Sequence, residues 1–169
     1  MRGSAFLTAA IVAAIGTSDA WAARARPEKV PVSKAFRAEL VKPGETQSSE
    51  LAGILGKPYR RVQETAHHEF YFYDLGEGAT MDATVSVRSG VVEYVSYLCS
   101  ESLSDVRQKF AGETAVNRAL TTEGAGLTST LQQVIYEGKG RGYIYEPKTF
   151  KVRACIAWAP GKKFDELSQ

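Results

Sequence analysis

Residues 81–98 constrain this chain more than any other stretch. Ala83, Val85 and Val87 alternate with Asp82, Thr84 and Ser86, and the run Val91 to Leu98 begins after only Ser89 and Gly90. A period of two is the pattern of a strand with one covered face. Two such runs joined by two residues must pair antiparallel, and Gly90 supplies the positive φ that so tight a turn demands. A hairpin of this kind needs a second layer over its apolar face.

That layer is encoded just upstream. Thr46 can cap a helix, Glu50 falls in the first turn where the helix dipole favours a carboxylate, and Leu51, Ile54 and Leu55 share one helical face. Gly56 and Pro58 end the pattern. The spacing predicts a helix over 47–55 lying against Val85 and Val87, and Glu69 to Leu75, rich in Phe70, Tyr71, Phe72 and Tyr73, predicts a further strand. The order then recurs. Ser102 and Asp105 are spaced as a capping box, Leu103, Val106 and Phe110 follow at helical intervals, and Gly112 stops the helix. Strands are predicted at 131–137, 142–146 and 149–158, the last with Phe150, Val152, Ala154, Ile156 and Trp158 on one face. The expected fold class is therefore α+β, with short helices packed on antiparallel three- to four-stranded sheets in two tandem repeats.

The N-terminus carries an address. Arg2 precedes Ala5 to Ile15, in which Thr8 is the one polar residue, and Ala20-Trp21-Ala22 fits a cleavage site, so residues 1–22 are expected to be a signal peptide. No cysteine lies near that site to take a lipid, so the expectation is an exported protein, periplasmic or secreted, without a lipid anchor. Residues 23–44 form a basic, proline-punctuated leader whose end, Val32 to Val41, can dock by Phe36, Leu40 and Val41. Units at 45–99 and 100–160 and a tail at 161–169 complete the expected organisation.

With 44% apolar and 24% charged residues and a net charge of +2, neither a disordered chain nor a clustered basic face for duplex nucleic acid is indicated. Beyond the leader no run approaches the roughly 18 apolar residues of a membrane span. No nucleic acid, cofactor or transmembrane segment after cleavage is expected. Cys99 and Cys155 are the two cysteines. In an oxidising compartment they are candidates for a disulfide, with two separate buried thiols as the alternative.

Ile54-Leu55-Gly56-Lys57-Pro58, Phe70-Tyr71-Phe72-Tyr73, Ala83-Thr84-Val85-Ser86-Val87 and Gly90-Val91-Val92-Glu93-Tyr94-Val95 together resemble BamE-like (SmpA/OmlA) domains. The resemblance covers residues 46–98. Residues 102–160 look like a weaker second copy, similar in layout to the beta-lactamase inhibitor protein architecture. It implies an exported or envelope module that binds another protein and carries no catalytic residues. Lacking the lipidated cysteine, the chain departs from the lipoprotein members, and outer-membrane assembly is not implied for it.

Candidate chemistry is sparse. The pair His67-His68 beside Glu64 and Glu69 invites a metal-dependent or hydrolytic reading, yet neighbours on a strand point to opposite faces, so solvated histidines at a strand entry are expected. Gly138-Lys139-Gly140-Arg141-Gly142 lacks the P-loop spacing and reads as a turn. Asp74, Glu77 and Asp82 gather in a glycine-rich loop without forming an acid–base pair. Tyr59, Tyr71, Tyr73, Tyr94 and Tyr97 are the candidate protein-binding residues, because a tyrosine ring buries area while its hydroxyl stays hydrated, with burial of these rings under a second layer as the alternative.

Overall fold

The computed structural model describes residues 35–74, 82–99, 101–124 and 127–167; the signal segment, the leader up to residue 34 and Glu77 lie outside these. Eight strands follow in chain order. They are β1 (Arg60–Thr65), β2 (His68–Tyr73), β3 (Ala83–Arg88), β4 (Val91–Tyr97), β5 (Val116–Gly124), β6 (Leu127–Tyr136), β7 (Arg141–Tyr145) and β8 (Val152–Trp158). Three short helices accompany them: α1 (Ala35–Ala38), α2 (Leu51–Leu55) and α3 (Leu103–Lys109).

All eight strands belong to one antiparallel sheet with the order β1-β2-β3-β4-β8-β7-β6-β5. This corrects the expectation of an α+β fold with separate three- to four-stranded sheets in tandem repeats. The physical reason lies at the centre, where β4 and β8 pair from Tyr94↔Trp158 to Tyr97↔Cys155. Two separate sheets would leave two inner edges with unpaired backbone groups, and this pairing satisfies both. The sheet dominates and the helices are short.

The predicted hairpin is present as β3 and β4, with Ser89 at φ 52° and Gly90 at φ 84°, the pair of left-handed residues that a two-residue turn uses. The predicted helix is shorter than its pattern. Residues 48–50 form a 3-10 turn capped by Gln47, whose backbone N–H donates to Glu50, and Thr46 instead accepts from the Lys42 N–H. Leu51 and Leu55 of α2 are buried with Tyr71, Tyr73, Val85, Val87, Val92 and Val95, and Ile54 packs against the same cluster. Further along the same face, Leu103 and Val106 of α3 join Val134, Tyr136, Tyr143, Tyr145 and Val152. Ala38 and Val41 bring α1 and its following turn into the first cluster, whereas Leu40 faces solvent; the Phe36 side chain lies outside the described set.

The opposite face has its own core. Tyr94, Leu131, Ile135, Ile144, Ala154, Ile156 and Trp158 are covered in part by Phe164 and Leu167, so the C-terminal segment is a packing element. Along β8, Ala154, Ile156 and Trp158 do share a face, as the alternation predicts. Val152 falls on the helix-bearing side because the β7–β8 register shifts between Ile144 and Tyr145. Phe150 leaves the expected strand altogether, with φ 55° and 57% exposure.

Candidate functional site

β1 is the outermost strand of the sheet, hydrogen-bonded to β2 along Arg60↔Phe72 to Gln63↔Glu69. The register shifts between Gln63 and Thr65, after which Thr65 pairs with His68. Apart from the partly covered Val62, every residue of β1 is exposed. Just before it stands Tyr59, 54% exposed, its ring 6.5 Å from Phe72. The Arg61 guanidinium lies 4.5 Å from the Tyr71 ring centroid, and that of Arg60 lies 5.8 Å from Phe72. An arginine resting on an aromatic face keeps its charge while losing little freedom when it meets an anion. Burial, with Asp74 and Asp82 nearby, raises the Tyr59 phenol above its ordinary range against the opposing pull of Arg60, so it stays a neutral donor.

The five candidate tyrosines therefore separate. Tyr71, Tyr73 and Tyr94 are core residues, so for these three the covered alternative holds and the candidate contact role does not. β2 turns its tyrosines toward α2, with its phenylalanines on the other side, and the Tyr71 hydroxyl donates to Glu69 at 2.9 Å. Tyr97 is half-buried between the two clusters of the helix-bearing face, and desolvation pushes its phenol to about 12. Tyr59 is the one of the five that is open to solvent.

The histidines separate as well. His67 is exposed in the β1–β2 turn, but His68 is buried, contrary to the solvated pair expected. Its Nδ1 lies 2.7 Å from Glu64 Oε2 and its Nε2 lies 2.8 Å from Ser86 Oγ and 3.7 Å from Glu93 Oε2. Glu93 in turn takes Arg88 at 3.0 Å and Lys162 at 3.8 Å. The serine–histidine–carboxylate order has the outline of a nucleophilic relay. Two facts oppose that chemistry. Ser86 is 0% exposed, and its hydroxyl donates to Glu93 at 3.3 Å, which directs the proton to a carboxylate and sets a negative charge where an oxyanion would form. The arrangement is suited to clamping: it ties β1, β2, β3, β4 and the C-terminal segment through the buried side chains of His68, Ser86 and Glu93, with the more exposed Glu64, Arg88 and Lys162 at its rim. Among the described residues no three His, Cys, Asp or Glu side chains converge as a metal cage would require.

Sequence reasoning missed both β1 and this clamp. An edge strand wet on both sides shows no alternation, so Arg60-Arg61-Val62-Gln63-Glu64-Thr65 gave no period to detect. The clamp had a faint signal, a serine and a glutamate at positions of otherwise apolar strands.

The Gly138–Gly142 segment is a turn, as read. Residues 137–139 form a 3-10 turn and Gly140 is left-handed, its place fixed by the Trp158 N–H donating to its carbonyl. Cys99 and Cys155 form a disulfide with Cα atoms 5.8 Å apart. The bridge, and the lack among the described residues of any helix long and apolar enough to cross a membrane, are consistent with an exported protein.

No family model matches the chain, and no curated protein matches it. Among solved structures it is similar to an extracellular protein containing a SCP domain from Bacillus anthracis str. Ames, at 12% identity and a TM-score of 0.47. The match covers 85% of this chain and 49% of that one, so the chain spans about half the length of that protein.

Proposed function

We propose that this chain is an exported, non-enzymatic protein-binding module of the cell envelope or extracellular space, and that its contact surface is the β1 edge. The observation that carries this reading is the combination of an outermost, exposed strand with Tyr59 beside it, 54% exposed and with its ring tilted against that of Phe72. Tyrosine and arginine are the residue types that most often dominate interface energetics, and an open sheet edge offers main-chain donors and acceptors to a partner. The likeness of residues 46–98 to BamE-like domains points the same way. The test is capture from the exported fraction of the source cell with immobilised wild-type protein and with Tyr59→Ala. A partner retained by the first and lost from the second is the expected result; identical retention by both overturns the assignment to this edge.

A second reading, a small hydrolase or metal-dependent enzyme using the His67/His68 region, draws its support from the Ser86–His68–Glu64 order. It requires Ser86 to react with an organophosphorus ester in the native protein. The enclosure of Ser86 leads us to expect no labelling.

A further inference from the structure

Resting on the protein-binding reading, we infer that the partner presents an extended acidic segment, which adds to the sheet as a ninth strand alongside β1. Three cations crowd the start of this edge: Lys57, Arg60 and Arg61, all exposed. None of the three is engaged in an ion pair with a described carboxylate. The one acid within β1, Glu64, is committed to His68 at 2.7 Å. At the far edge of the same sheet the situation is reversed, since Arg118 of β5 is held bidentate by Asp165. Within residues 57–65 themselves, Lys57, Arg60 and Arg61 outnumber Glu64, so the charge that this edge segment carries is positive.

Charged side chains on an edge strand often serve to repel other strands. Here they are placed differently. Consecutive residues of a strand point to opposite faces, and each guanidinium lies down on an aromatic ring of β2: Arg60 on Phe72, Arg61 on Tyr71. Both charges thus flank the sheet above and below, and among the described residues no strand pairs with the outer backbone of β1. An incoming strand with two adjacent acidic residues would put one carboxylate on each face, opposite a ring-supported guanidinium that can receive it bidentate. Main-chain pairing would supply affinity and the two carboxylates register and choice of partner.

The test uses the whole exported chain and a synthetic peptide of alternating threonine and valine with two adjacent glutamates at its centre. Companion peptides replace the glutamates by lysines, or carry backbone N-methyl groups on alternate residues in either register. The glutamate peptide is expected to bind at low ionic strength, to weaken by about tenfold or more when Arg60→Glu and Arg61→Glu are combined, and to slow amide exchange in residues 60–65. One N-methylated register should abolish binding while leaving the protein untouched, so the result does not depend on how the variant folds. Equal binding of both N-methylated registers overturns strand addition, and equal binding of the lysine peptide, or none by the glutamate peptide, overturns the acidic partner. Capture of a protein that depends on Tyr59 but not on Arg60 or Arg61 overturns this inference alone and leaves the binding reading in place.

Discussion

At the scale of single residues, the tyrosines show how burial changes chemistry without creating a site. Desolvation pushes Tyr73 and Tyr97 to about 12 and raises Tyr94 and Tyr143 further, since a phenolate cannot be solvated inside the sheet's cores. The sign of the pH effect follows. Below the ordinary value of 10.0 these phenols are neutral in both folded and unfolded chains, so the folded state's preference for the neutral form costs nothing. As pH rises from there toward 12, the unfolded chain loses protons that the folded one keeps, and stability falls. Phenolate absorbance from Tyr73 and Tyr97 should therefore appear near pH 12, together with the loss of near-ultraviolet circular dichroism. Ionisation of all tyrosines near pH 10 in a still-folded protein would show that these rings are not enclosed. The sequence disclosed that these rings belong to strands. It did not disclose which way β2 faces, because Phe70 and Phe72 on one side are as apolar as the tyrosines on the other, and only the position of α2 decides between them.

At the scale of elements, short-range rules were the ones legible in the sequence. Ser102 caps α3 through the Asp105 N–H at 3.2 Å, Gly56 closes α2 at φ 85°, and Ser89-Gly90 turns the hairpin, each set by a few neighbouring residues. β1 and β5 escaped because both are edges: β1 is exposed but for Val62, and in β5 only the partly covered Arg118 and Leu120 hint at a period. The β6–β7 turn supplies a sharp prediction. Gly140 has φ 59°, and a Cβ there would come within 2.2 Å of the Trp158 carbonyl oxygen. That neighbour is backbone within the central strand and has no room to yield. Gly140→Ala should destabilise by about 2 kcal/mol or more in urea denaturation, whereas Gly138→Ala, with nothing near its Cβ, should cost about 1 kcal/mol or less. Equal effects at the two positions would mean that the turn does not press against β8.

At the scale of the whole molecule, the β4–β8 pairing makes one sheet from two runs of four strands, and the bridge from Cys99 to Cys155 spans that junction across 56 residues of chain. A loop of that size restricts the unfolded chain, so its loss by double Cys→Ser replacement should cost about 4 kcal/mol in the chain-entropy treatment. Continuity predicts one cooperative transition. Trp158 fluorescence, at the junction, and far-ultraviolet circular dichroism should give coincident unfolding curves, and two separated midpoints would indicate that the halves unfold independently. The overall architecture was hidden because nothing local in Val91–Tyr97 or Val152–Trp158 announces that these distant runs are neighbours; both read equally well as the last strand of a small sheet.

The location of β8 also bears on how such a chain is made. The middle of the sheet is closed by its last strand, so β4 gains its second neighbour only after residue 158 is available. A polypeptide delivered N-terminus first is thereby held short of its final form until β8 has been made, because early folding would leave the interior ladder half built. For a chain that is exported unfolded, such a delay would keep it pliable during transit and reserve completion for the far side.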